Sequence, residues 1–199
     1  MNKIDFNFLR DKIDKNKGKR GPQDNALSNK HFLCLVVAEL MKAVAADTGN
    51  SRNKRANVNW YNKRIESSCI CRGLDPEIPK ERGYEVIYNE TIKGSIEEAL
   101  AGSVIRLLDL AGLRSINFET KDRNSRIDDM AEACKDETFT ETIYAISILP
   151  ARCDGLHDFS TIIEDMVIAI FGLATHLGVD LLWHIEQKIR YDQFRNEIN

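Results

Sequence analysis

The sequence predicts an all-α protein, and two observations carry that prediction. Apolar side chains recur three and four positions apart along several stretches, the spacing of one helix face. Val, Ile and Thr do not gather into alternating runs bounded by turn residues, the mark of strands. With 199 residues the chain has the length of one domain, or of one domain with an appendage. Hydrophobic residues make up 43 % and charged residues 30 %, which excludes a disordered chain. A chain of this size buries roughly 70 % of its unfolded surface and needs no staples.

The elements follow in order. Residues 5–15 form a short amphipathic helix with Phe6, Leu9 and Ile13 on one side. A basic, Gly-containing stretch, residues 15–22, reads as a linker rather than a phosphate patch, because no aromatic residues interleave with its charges. Ser28 caps a helix that runs to about residue 46 and stops at Gly49. Its apolar residues, from Phe32 to Val44, go almost all the way round, as in a helix buried in a bundle. Residues 95–112 and 159–177 form two further apolar helices, the latter ending at Gly178. They echo each other faintly at 104–113 and 167–176, as two buried helices must. Asp180 caps a helix over 181–194. Residues 115–137 are polar and read as loop with a little helix. Residues 138–149 form an amphipathic helix on Phe139, Ile143, Ile146 and Leu149, closed by Pro150.

Several function classes lose ground at once. The longest mostly apolar run, residues 32–41 with Glu39 inside it, falls short of the ~20 residues of a membrane span. The N-terminus carries no apolar signal core, so a cytoplasmic protein is expected. A net charge of −3 and a single short basic run speak against nucleic acid as a partner. Cys34, Cys69, Cys71, Cys134 and Cys153 read as reduced thiols. A metal set of Cys69, Cys71, Cys153 and His157 matches no common zinc spacing.

Four stretches carry a family resemblance. Residues 92–112, beginning Ile92, Lys93, Gly94, Ser95, resemble the third core helix of MazG-like nucleoside triphosphate pyrophosphohydrolases. Residues 178–195 resemble the family's closing helix, which ends in K-x-x-Y-N-x-x-R and here reads Lys188, Tyr191, Asp192, Arg195. Residues 35–43 resemble its first core helix, usually E-L-x-E-A, and residues 54–58 a segment of its longer members. The resemblance implies a helical bundle built on a four-helix core with extra peripheral helices, assembled as a homodimer or dimer of dimers. It implies a domain over residues 28–199, with a polar insertion at 115–158, preceded by a helix and basic linker at 1–27. The family reaction splits a nucleoside triphosphate into monophosphate and pyrophosphate with Mg²⁺, held by an E-x-x-E and an E-x-x-D.

That spacing has its own physics. Residues at i and i+3 share a helix face. Two acidic pairs on facing helices surround one internal point with oxygen donors suited to Mg²⁺. In this chain the first pair reads Glu39 and Lys42, and the second falls on Ala99 and Gly102, so one of four acids survives. A one-residue shift brings in Glu98, making Glu39 and Glu98 the remaining candidate metal ligands and, with Lys42, the candidate catalytic set. Glu164 and Asp165 are further substitutes. Lys188, Tyr191, Asp192 and Arg195 are the candidate phosphate-binding residues, with His184 one turn earlier. Asp192 stands where the family has asparagine. The expectation is a weak or inactive pyrophosphohydrolase, with the Lys42 ammonium in the place of the metal. The alternative is a non-catalytic nucleotide-binding or oligomeric interaction protein. Trp183 reads as a core residue, Arg106 and Asp109 as an ion pair, and Lys54, Arg55 and Arg64 as loop charges or added phosphate contacts.

Overall fold

The computed structural model describes residues 4–16, 26–49, 53–75, 78–119, 122–152 and 158–198. The basic residues 17–22, Cys153 and His157 lie outside the described residues. Among the described residues there are nine α-helices and no strand. They are α1 (Phe6–Asn16), α2 (Asn29–Thr48), α3 (Val58–Ser67), α4 (Lys80–Thr91), α5 (Ile96–Leu113), α6 (Arg123–Ala133), α7 (Phe139–Ile148), α8 (Phe159–His176) and α9 (Leu181–Ile198).

Side-chain caps start most of them. Asp5 accepts the N–H of Asn7 at 2.9 Å, Ser28 that of His31 at 3.2 Å, and Ser95 that of Glu98 at 3.1 Å. Thr138 and Glu141 form a reciprocal capping box at α7. Gly178, at φ +67, turns the chain between α8 and α9 in the left-handed region, where a Cβ is strained.

Helix α5 is the axis of the bundle. It is buried along most of its length and packs against α1, α2, α8 and α9. Its neighbour α2 buries only Leu33, Val36, Glu39, Leu40 and Ala43. Cys34, Ala38 and Met41 face outward, so the all-round burial expected of this helix is not reached within one chain. Helix α1 joins the main core, with Phe6 stacked on Phe171 at 5.6 Å.

The polar stretch 115–137 holds more helix than the little expected of it. It contains α6, which lies along α8 in one of the closest crossings of the bundle. The crossing depends on Gly172, since a Cβ there would stand 2.6 Å from the Met130 side chain. Gly172→Ala is therefore expected to cost about 1–3 kcal/mol through overpacking, read as a lower urea midpoint with an unchanged slope.

By length and composition α8 could cross a membrane, which the run at 32–41 could not. In the fold 67 % of that window is buried in the bundle, the position of a core helix.

Two helices were not anticipated from the sequence. In α3 only Tyr61 is buried, and in α4 the buried face is Gly83, Ile87, Tyr88 and Thr91. Neither shows an aliphatic stripe. They build a second, aromatic cluster in which Tyr61, Tyr88 and Tyr191 pack with Ile87, Ile92 and Cys71. Cys71 and Cys134 are buried thiols, while Cys34 and Cys69 are exposed.

Candidate functional site

The site lies where α2, α9 and the N-terminal turn of α5 meet. Each helix contributes one face by its own periodicity. Helix α2 brings Glu39 and Lys42, three positions apart, and α9 brings Lys188, Tyr191, Asp192 and Arg195 along one stripe. The turn at Lys93, Gly94 and Ser95 leads into α5, which brings Glu98 and Ala99. Together they line a cavity of about 310 Å³. The structure thus gathers in one place seven of the residues singled out as catalytic, metal or phosphate-binding candidates: Glu39, Lys42, Glu98, Lys188, Tyr191, Asp192 and Arg195.

The two absent acids also point there. Ala99 lines the cavity, and a Cβ on Gly102 would sit 3.2 Å from Oε2 of Glu39 and 3.3 Å from Cε of Lys188. Gly102 therefore faces Glu39, and Ala99 lines the same cavity.

The carboxylates that remain are engaged by cations. Oε1 of Glu39 accepts from Lys42 Nζ at 2.9 Å and from Arg106 Nε at 3.0 Å. Burial alone would raise the Glu39 pKa, but those hydrogen bonds and charges outweigh it and hold the group below the usual carboxylate range. Glu98 accepts from the Gly94 N–H at 2.6 Å and from the Tyr88 hydroxyl at 3.2 Å, and Lys188 Nζ stands 3.4 Å from its Oε1. Lys188 is also 3.8 Å from Asp192. Burial pushes the Asp192 pKa up, with Lys188 and Arg195 opposing and the charges of Glu98 and Glu39 adding to the rise.

Lys42 does not occupy the place assigned to it. Its side chain is 65 % exposed and reaches Glu39 from outside. Lys188, whose side chain is only 17 % exposed, is the ammonium inserted between carboxylates.

These donors do not fit Mg²⁺. That ion demands near-octahedral oxygen coordination at roughly 2.1 Å and sheds its waters reluctantly. Here Glu39 and Glu98 already bond to lysine, arginine and backbone donors, and Lys188 would repel a divalent ion. Among the described residues no three His, Cys, Asp or Glu side chains stand close enough to share a metal.

The other candidates lie elsewhere. Glu164 pairs with Arg123 at 2.9 Å and Asp165 with Arg126 at 2.6 Å, joining α8 to α6. Neither lines the cavity. Arg55 pairs with the buried Glu97 and Lys54 Nζ donates to the Lys93 carbonyl at 2.8 Å, so both hold their loop in place, while Arg64 pairs with Glu90 and joins α3 to α4. Arg106 bonds to Glu39. Trp183, partly buried, packs nearly perpendicular to Tyr61 at 5.4 Å between ring centroids, at the edge of the aromatic cluster.

Lys93 is a lining residue that sequence reasoning missed. Its ammonium donates to the Tyr191 hydroxyl at 3.2 Å. The available signal was a lysine two positions before a serine N-cap, with Gly94 (φ +74) allowing the turn. Tyr191 in turn donates to Asn89 at 2.9 Å and stacks on Tyr88, 4.2 Å between ring centroids.

His184, one turn before Lys188, is buried, and its Nδ1 has no hydrogen-bond partner among the described residues. Burial holds its pKa below the usual value, against the charges of Glu97 and Asp180. The unfolded chain therefore takes up the proton first as pH falls, from about 6.5 downward, and stability is lost in that range. Thermal unfolding between about pH 7.5 and 5.5 should show a steeper decline for the native protein than for His184→Leu.

Comparison of the chain with family models, with curated proteins and with solved structures finds no match.

Proposed function

We propose that this chain is a MazG-like bundle that keeps a phosphate-binding pocket but not the divalent cation, and that it binds a nucleotide without splitting it efficiently. One observation supports this most: the Lys188 ammonium sits between Glu98 and Asp192 while Glu39 is bonded by Lys42 and Arg106. A metal site needs carboxylates free to coordinate, whereas a phosphate site needs cations on flexible stems. Lys93, Lys188 and Arg195 supply the second. The backbone N–H groups of Gly94, Ser95, Ile96 and Glu98 are already bonded, so side-chain cations must hold the anion.

The reading includes a second copy of the chain. The outward face of α2, with Cys34, Ala38 and Met41, extends the apolar helix that carries Glu39 and suits a homodimer or dimer of dimers. Met41→Glu should shift the species seen by light scattering toward the monomer.

The functional test has two parts. Calorimetry with nucleotides in EDTA should give heat. Pyrophosphate release from a panel of triphosphates with Mg²⁺ or Mn²⁺ should be slow or absent. Release that is fast and disappears in Glu39→Gln would establish a working hydrolase and remove the proposal.

A further inference from the structure

Given that reading of the pocket, its size and charge narrow the ligand. A cavity of about 310 Å³ lies near the lower end of small-molecule sites, roughly 300–1,000 Å³. It has room for at least one phosphoryl group and part of a sugar.

The charge points the same way. Among the described lining residues Lys42, Lys93 and Lys188 are cations, and Glu39, Glu98 and Asp192 are carboxylates. Arg106 stands behind Glu39 at 3.0 Å, and Arg195 lies at the rim. The surplus is one positive charge without Arg195 and two with it. A phosphate monoester carries about −1.5 to −2 near neutral pH and matches this surplus. A metal-free triphosphate brings more negative charge than the pocket can neutralise. A magnesium-bound one brings a cation for which the pocket offers no free oxygen set.

Lys93 is placed to make the first contact. It is exposed at the mouth, and its hydrogen bond goes to the Tyr191 hydroxyl at 3.2 Å. Among the described residues no carboxylate pairs with it. Lys188, 3.4 Å from Glu98, can trade that long contact for a phosphate oxygen.

We propose that the ligand is a phosphate monoester of the nucleoside monophosphate class, taken up without a divalent cation and bound by Lys93 and Lys188. The test is calorimetry on the full chain with three probes: inorganic phosphate, a panel of nucleoside 5′-monophosphates, and the matching triphosphates. Each is run in EDTA and in excess Mg²⁺. The expected result is a monophosphate affinity that is the same in both buffers and at least about tenfold above that of the triphosphate in Mg²⁺. Lys93→Gln should weaken monophosphate binding at least about tenfold, the loss of one charged hydrogen bond, with the unfolding temperature unchanged.

A triphosphate that binds more tightly, or a monophosphate that binds only with Mg²⁺, overturns this inference and leaves the phosphate pocket standing. Inorganic phosphate binding as tightly as the best ester overturns the ester assignment. No heat with any of the three probes overturns the pocket as well.

Discussion

The combined variant Lys42→Glu, Ala99→Glu, Gly102→Asp is expected to acquire a divalent-cation site at this cavity. All three positions lie at the cavity or against Glu39. Lys42 already touches its carboxylate at 2.9 Å, Ala99 lines the cavity, and a Cβ on residue 102 would stand 3.2 Å from Oε2. Lys188 must give way, because its Cε would lie 3.3 Å from that Cβ, but it is the far end of a flexible side chain. Without metal the variant should be less stable than the native protein, because like charges are crowded together. With Mn²⁺ it should recover. At a concentration of about 100 times Kd the gain is about 2.7 kcal/mol, seen as a rise in unfolding temperature that depends on metal concentration. Electron paramagnetic resonance should show Mn²⁺ immobilised on the variant and free beside the native chain. A folded variant that leaves Mn²⁺ free would mean the four positions do not converge, and the MazG-like register would fall with it.

Arg123→Ala is expected to destabilise the bundle by about 3–5 kcal/mol, because it leaves Glu164 buried without its main cation. The pair is 2.9 Å apart with side chains only 9 % and 10 % exposed, and the Arg123 guanidinium also lies 5.1 Å from the Phe6 ring. The control is one helix turn away. Arg126 and Asp165 are closer, at 2.6 Å, but 41 % and 35 % exposed. Water screens that pair and costs of ordering offset it, so Arg126→Ala should change stability by only about 0–1 kcal/mol. Denaturant titration of both variants separates burial from distance as the cause. Equal losses would show that α6 and α8 are not held together by the buried pair.

Much of the helical framework is written in the apolar spacing. Leu9 follows Phe6 at i+3 and Ile13 at i+7, and all three are buried. Ser28, Ser95 and Thr138 cap the helices they precede. Helices α3 and α4 are not legible this way. Their buried positions are tyrosine, glycine and threonine with Ile87 as the single aliphatic, too little to mark an apolar stripe until the aromatic cluster with Tyr191 of α9 forms. Helix α6 is hidden for a related reason: Arg123 is a buried member of its face, and it becomes a core residue only through Glu164 on a distant helix.

The candidate site divides along the same line. Periodicity places Glu39 with Lys42 on one face, and Lys188 with Asp192 on another. The resemblance suggests that these faces meet. Neither indicates that Arg106 reaches across to Glu39, or that Lys188 rather than Lys42 enters between the carboxylates.

The order of residues by itself determined which side chains share a helix face and where most helices begin, because backbone geometry and capping act over three or four positions. Only the tertiary structure decided which cation neutralises which acid. That choice depends on the reach of side chains between helices and on how far each is removed from water, and both are properties of the packed bundle.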